Sequence, residues 1–189
     1  MKRFTIAVLV ILIIVYSLSC SFAHQSSTFP KFMTKIELRY YQETTFEEAS
    51  DTLGVTLPKP ACLPKGLKIE EVYINYYPEG ISTVLLIISD EPIEKRLVTY
   101  TDQWGSVQQG YELECNMRMQ IRWIGSKHFM PIKPPPGQER VKVKGRTGVI
   151  KEGETANSLV WQIPKFELVL SMSKDVPKEE LIKVAESVS

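Results

Sequence analysis

The sequence has few side chains suited to metal binding. It contains only two histidines and three cysteines among 189 residues. The histidines, His24 and His128, are more than a hundred positions apart, and no CxxC or HxxxH spacing occurs. Because protein zinc sites are built from several such ligands at short spacings, the sequence predicts neither a metal site nor a bound cofactor.

Motifs of enzymatic catalysis are lacking as well. The chain has no GxSxG nucleophile turn, no HExxH, no phosphate-binding P-loop and no GxGxxG. Several glutamates are adjacent pairs, such as Glu47-Glu48 and Glu179-Glu180, which suits the first turn of a helix better than two facing catalytic groups. We therefore expect a protein that is not an enzyme and has no catalytic residues.

Neither positive nor negative charge is in clear excess. Lysine and arginine number 23 and aspartate and glutamate 22, a formal net charge of +1. Proteins that bind nucleic acid usually carry a basic patch or stripe that neutralises phosphates. The balance of charge thus predicts no nucleic-acid partner.

The N-terminal segment has the three-part pattern of a secretory signal. Lys2 and Arg3 precede an uncharged apolar run over residues 5–18, and Ser21 and Ala23 occupy the small-residue positions of a cleavage site. Cleavage between Ala23 and His24 would release a secreted protein. Two alternatives stay open, retention of the segment as a membrane anchor and lipidation of Cys20. Each of the three predicts an extracytoplasmic protein, and the last two hold it on the outer face of the cytoplasmic membrane.

The rest of the chain is long enough for one ordinary domain. We interpret residues 24–43 as a linker or loosely docked arm and residues 44–189 as a single domain. A helix is predicted after Thr45, because Thr45 and Glu48 form a capping box and Gly54 follows the last apolar residue. A second helix is predicted near the C-terminus, capped by Asp175 or its neighbour, with one apolar stripe: Leu181, Ile182, Ala185 and Val188.

Between the helices the sequence alternates with the period of β-strands. The run 84–88 is apolar at odd and even positions alike, which predicts a central strand covered on both faces. Residues 111–123 are apolar at every odd position and polar at every even position. A strand of this length would span about 43 Å, so we expect a bend or bulge near Asn116, or two strands in one line. The predicted fold is α+β, an antiparallel and mostly meander sheet with a short N-terminal helix and a C-terminal helix packed on one face.

Two cysteines lie within the predicted domain, Cys62 and Cys115. An even pair in an oxidising compartment suggests a disulfide between them. The alternative is two small buried thiols, since free cysteine is often part of a core.

Five short stretches, in this order, resemble domain-of-unknown-function family 4367, over about residues 44–188. They are Leu53-Gly54, Leu63 to Gly66, Val143 to Gly145, Leu159 to Trp161 and Glu179 to Ser187. The resemblance implies an extracytoplasmic bacterial α+β domain, often behind one membrane span. It implies no activity and therefore no catalytic residues.

Two functional hypotheses follow. The first is an interaction or sensor module at the cell surface, which would bind a partner protein through the proline-rich loop Pro131 to Gly137 or through a sheet edge. The alternative is a carrier of an apolar, lipid-like ligand in a curved sheet, whose concave face would be lined by four residues: Met117, Met119, Ile121 and Trp123. Methionines suit such an adaptable surface, although they suit a packed core equally well.

Overall fold

The computed structural model describes residues 29–77, 80–102, 104–125 and 138–189. The predicted cleavage site at Ala23 and His24, Cys20 and the loop Pro131 to Gly137 lie outside these residues. The strands are β1 Phe32–Glu37, β2 Gln42–Thr44, β3 Lys68–Asn75, β4 Ser82–Ser89, β5 Arg96–Thr101, β6 Val107–Cys115, β7 Met117–Trp123, β8 Glu139–Val143, β9 Arg146–Lys151, β10 Ala156–Ile163 and β11 Phe166–Ser173. The helices are α1 Phe46–Leu53 and α2 Lys178–Ser187.

The strands form two antiparallel sheets. The larger sheet has the order β2-β3-β4-β7-β11-β10-β9-β8, and the smaller sheet has the order β1-β6-β5. Most neighbours in the larger sheet are also consecutive in the chain, as a meander requires, and the chain leaves it after β4 to build two strands of the smaller sheet. The predicted α+β class, with its antiparallel sheet and C-terminal helix, is confirmed, whereas the division into two sheets was not predicted.

The long two-faced ribbon is divided at Asn116, as expected. Its first half is β6 in the smaller sheet and its second half is β7 in the larger sheet. The Asn116 side-chain oxygen accepts hydrogen bonds from Ser89 Oγ and the Asp90 amide, both at 3.0 Å. Its amide nitrogen donates to the Phe29 carbonyl. A fully buried polar side chain thus satisfies the backbone where one ribbon changes sheets.

The central strand β4 is buried on both faces, which confirms the prediction from its uninterrupted apolar run. Leu86 and Ile88 belong to a large core that includes α1 and α2 residues. Leu85 and Ile87 point the other way and pack against residues of the smaller sheet, among them Ile36. The larger sheet is therefore covered by the helices on one face and, in part, by the smaller sheet on the other.

Both helices form where the sequence predicted them. Thr45 and Glu48 make the capping box of α1, and Gly54 ends the helix in a left-handed conformation at φ 62°. The N-cap of α2 is Pro177, with no side-chain capping bond, so the predicted cap at Asp175 or its neighbour was wrong. The apolar stripe of α2 packs on the sheet: Leu181, Ala185 and Val188 are buried and Ile182 is partly buried.

The segment interpreted as a linker or loose arm is, from Phe32 onward, part of the fold. Phe32, Thr34 and Ile36 alternate with Met33 and Lys35, and this period of two places the first set against the core. The segment forms β1 in the smaller sheet and β2 at the edge of the larger one. The prediction failed because a six-residue strand gives only a short alternating signal.

The predicted disulfide between Cys62 and Cys115 is not formed. Cys115 is a free, fully buried thiol at the end of β6, packed between the two sheets. Cys62 lies in the segment between α1 and β3, where its carbonyl accepts a hydrogen bond from Ser187 Oγ of α2. The two cysteines are therefore on opposite faces of the larger sheet. Burial raises the pKa of the Cys115 thiol to about 12.

Candidate interaction site

Strand β5 ends the smaller sheet and pairs only with β6 among the described residues. The Leu38 amide donates to the Gln109 carbonyl, so Gln109 points its backbone groups toward β1. Backbone direction alternates along a strand, hence Gly110 and its partner Val98 bond each other. Leu97, Thr99 and Thr101 consequently direct their amides and carbonyls away from β6. No strand within the described residues pairs with these backbone groups, and we call this row the free edge.

The three residues of the free edge also have exposed side chains. They share a face of the smaller sheet with Leu113 and Cys115, which are buried against the larger sheet. Leu97 is nevertheless 56% exposed and Val107, on the same face, is 71% exposed. The smaller sheet therefore projects past the larger sheet at β5, and both of its faces meet solvent there.

The turn from β5 to β6 is fixed by Asp102. Its Oδ1 accepts hydrogen bonds from the Trp104 and Ser106 amides, both at 2.9 Å, and Gly105 adopts a φ of 84° that favours glycine. These amide bonds, the Ser106 bond foremost, hold the pKa of Asp102 below its usual value. The fixed turn leaves Trp104 75% exposed beside the free edge.

The outer face of the smaller sheet is held together across Gly110. A Cβ atom at this position would lie 2.7 Å from the Ile36 carbonyl oxygen and 3.4 Å from Tyr100 Cε1. The absence of a side chain lets the Tyr100 ring lie across β6, where the Lys35 ammonium sits over it. Strands β1 and β5 are thus linked over the strand between them, which favours a rigid free edge.

A polar pocket of about 490 Å³ adjoins the start of β5. Arg96 pairs with Glu112 at its wall. Lys95 lies 3.0 Å from both Glu43 and Glu71, and these bonds outweigh its desolvation and raise its pKa. The basic groups lining this pocket are thus held by ion pairs, within the pocket or just beyond it, which makes it an ordered rim for the free edge.

The residues predicted to line an apolar ligand site lie in the core instead. Met117, Met119 and Ile121 are almost completely buried in the cluster that contains Leu181 and Ala185 of α2, and Trp123 packs against it. Neither pocket described, the one beside β5 and one of about 360 Å³ beside α1, is lined by these four residues. The packing therefore offers nothing in favour of the carrier hypothesis.

No helix within the described part of the chain is long and apolar enough to cross a membrane. Within the same residues, no group of three or more histidine, cysteine, aspartate and glutamate side chains could hold a metal ion.

No protein-family model, curated protein or solved structure matches this chain. The resemblance to family 4367 therefore stays a prediction.

The alternation between the two helices predicted strands in this region, and a sheet edge was one predicted binding surface, but the sequence did not reveal which strand forms the free edge. Whether a strand is central or lies at an edge depends on the order of strands in the sheet, which alternation within one strand does not encode. A usable signal was present in β5, where two of the three alternate residues on this face, Thr99 and Thr101, carry a hydroxyl instead of a large apolar side chain. A strand covered on that face would carry larger apolar residues, as β4 does.

Proposed function

We propose that this protein is an extracytoplasmic, non-enzymatic interaction module that binds a protein segment by strand addition at the free edge of β5. The observation that carries the proposal is the row of backbone groups at Leu97, Thr99 and Thr101, which no described strand pairs and which lies next to exposed apolar side chains. Strand addition uses such groups for affinity and neighbouring side chains for specificity.

A comparison with the other sheet edges supports this choice. The strand β2 has only three residues, β8 carries Glu139, Arg140 and Lys142 among its five, and β1, at the opposite edge of the smaller sheet, has two charged residues among its six. Short strands and charged side chains are the devices by which proteins protect sheet edges from pairing. The strand β5 has six residues and one charge, Arg96. Of these edges it is the one that is least protected.

The extracytoplasmic part of the proposal rests on the N-terminal sequence, with its basic start, apolar run and small residues before His24. The near-neutral charge is compatible with a protein partner. Residues that flank the free edge suit one too, because exposed Trp104 and Leu97 offer the large apolar contacts on which interface affinity often depends.

Site-specific photocrosslinking in the producing cells tests the proposal. A photoreactive amino acid at Leu97 should give a covalent protein adduct, whereas the same amino acid at exposed Lys174 should give none. Adding Thr99→Pro should abolish the adduct, because proline removes a donor that no strand within the described chain uses. The matched Thr99→Ala change keeps this donor and should preserve the adduct. Equal adducts from Leu97 and Lys174, or an adduct insensitive to proline, would contradict the proposal.

A further inference from the structure

We infer that the free edge of β5 pairs with the same edge of a second copy of this chain, giving a continuous six-stranded sheet across a twofold axis. This inference rests on the proposed function and names one partner for it. It follows from the hydrogen-bonding pattern, the exposed side chains and the charges of residues 96–102.

A twofold axis perpendicular to a sheet pairs two identical edges in antiparallel fashion and keeps matching faces on the same side. Residues opposite each other must then have the same parity. With Thr99 on the axis, Thr99 faces Thr99 of the second copy, and Leu97 faces Thr101. All three residues with free backbone groups are used, and an antiparallel ladder places about two hydrogen bonds in each such pair.

The charges favour this register over its neighbours. With Thr99 on the axis, Arg96 of each copy lies opposite Asp102 of the other, and both side chains are on the outer face. A shift that places Val98 on the axis would instead set Glu94 against Asp102, two like charges. A shift that places Tyr100 on the axis would leave Leu97 beyond the ladder. Opposite charges across a strand pair stabilise it and like charges weaken it.

The side chains are complementary in the same register. On the outer face Val98 lies opposite Tyr100 of the second copy, an aliphatic and aromatic pair of the kind that stabilises sheets. On the other face Leu97 of one copy lies beside Thr101 of the second, whose own cross-strand neighbour is Val107. Leu97 of one copy and Val107 of the other, the two most exposed aliphatic side chains near the edge, thus lie in one row across the joined sheet.

The Asp102 carboxylate is suited to this role. Its Oδ1 is occupied by the turn amides, while its Oδ2 has weaker contacts, 3.3 Å to the Gln108 amide and 3.9 Å to Arg39. The turn thus holds the Asp102 carboxylate in place, while its Oδ2 can still accept a hydrogen bond from a guanidinium. Arg96, at the other end of the strand, pairs with Glu112 through one nitrogen but is 75% exposed, so its guanidinium has further donors for a second carboxylate.

Cysteine trapping tests both the pairing and its register. Thr99 of one copy faces Thr99 of the other across the axis at a Cα separation of about 5.5 Å, which a disulfide can span. The purified Thr99→Cys variant should therefore form a covalent dimer under mild oxidation. Thr101→Cys is the matched control, with the same exposure and face. Its Cα atoms would be about 14 Å apart in the same dimer, from four residues of rise and the spacing between the strands, too far to join, so it should form little covalent dimer.

Sedimentation of the unmodified protein over a range of concentrations gives a second measurement. The weight-average mass should rise toward twice the chain mass, and Thr99→Pro should suppress the rise while Thr99→Ala does not. Equal trapping at positions 99 and 101 would overturn the inference. It would also be overturned if Thr99→Cys gave no covalent dimer and Thr99→Pro left the self-association unchanged.

The failures of the two proposals are distinguishable. If trapping and sedimentation show no self-association while the photocrosslinker at Leu97 captures a different protein, the inference falls and the proposed function stands. If Leu97 gives no adduct of any mass, both fall.

Discussion

The larger and the smaller sheet differ in how completely they are covered. In the larger sheet β4 is buried along its whole length between the helices and the smaller sheet. In the smaller sheet β5 has exposed side chains on both faces and one unpaired edge. Burial on both faces supplies stability, whereas an exposed edge supplies little of it and remains available to a partner. The comparison therefore separates residues that hold the fold from residues that we propose bind.

The largest expected difference comes from the same substitution made in both regions. Leu86→Ala in β4 should lower the free energy of unfolding by about 2–5 kcal/mol, because a completely buried leucine leaves a cavity. Leu97→Ala in β5 should change it by less than about 0.5 kcal/mol. Urea unfolding followed by circular dichroism measures both. Similar losses for the two variants would mean that β5 is as well covered as β4.

The junction of the two sheets should be the next most sensitive position. Asn116→Ala removes the acceptor of the Ser89 hydroxyl and the Asp90 amide and leaves the Phe29 carbonyl without its donor. We expect a loss of about 1–3 kcal/mol in unfolding free energy, because buried polar groups lose their partners. Asn157→Ala, at a half-buried asparagine in β10, is the control and should cost less. A smaller loss for Asn116→Ala than for Asn157→Ala would show that water or a local rearrangement satisfies the polar groups at the junction in the variant.

These two regions also mark how far the sequence could predict the fold. The uninterrupted apolar run of β4 and the excessive length of the ribbon 111–123 were enough to predict a doubly covered strand and a break near Asn116. Both signals are local, because each is contained in one continuous stretch of the sequence. The sequence could not predict that the two halves of the ribbon enter different sheets, since both keep the same apolar parity.

Long-range relations were the part that failed. The pairing of Cys62 with Cys115 was inferred from their number and compartment, neither of which constrains the distance between two residues. Whether Met117, Met119 and Ile121 line a cavity or a packed core depends on what lies opposite them, here Leu181 and other residues distant in sequence. The free edge depends on sheet order in the same way, which explains why the strand was predicted and the candidate site was not.

Alkaline pH should weaken the layer between the two sheets through Cys115. Its thiol pKa rises from 9.0 to about 12 on folding. An acid with a raised pKa contributes stability that is complete below its ordinary pKa and is lost as pH rises toward the folded value. Between pH 9 and 10 this loss should be about 1 kcal/mol.

Cys115→Ala removes this titration and supplies the test. Unfolding free energies of wild type and variant at pH 8 and pH 10 should show a smaller decrease for the variant. Tyr73, whose hydroxyl pKa is also raised by burial and by its bond to Glu71, is present in both proteins and cancels in the comparison. Equal decreases in the two proteins would indicate that the smaller sheet opens and hydrates Cys115 before global unfolding.

The smallest expected change in stability is at Trp104, on the turn that follows β5. Trp104→Phe should alter the unfolding free energy by less than about 0.5 kcal/mol, yet it should remove most of the tryptophan fluorescence that acrylamide can quench. Trp161→Phe is the matched change in the covered sheet, where the side chain is 1% exposed. It should lower stability and leave the quenchable fraction intact. Quenching that is unchanged by Trp104→Phe would mean that this turn is covered.

The same fluorescence also reports on the proposed pairing of the free edge. In the twofold register Asp102 lies opposite Arg96 of the second copy, so Trp104, two residues further on, comes close to that copy. Quenching in the Trp161→Phe protein should then decrease as its concentration rises, and Thr99→Pro should remove this dependence. A quenching constant that is independent of concentration, measured where sedimentation shows dimers, would place the contact at another surface.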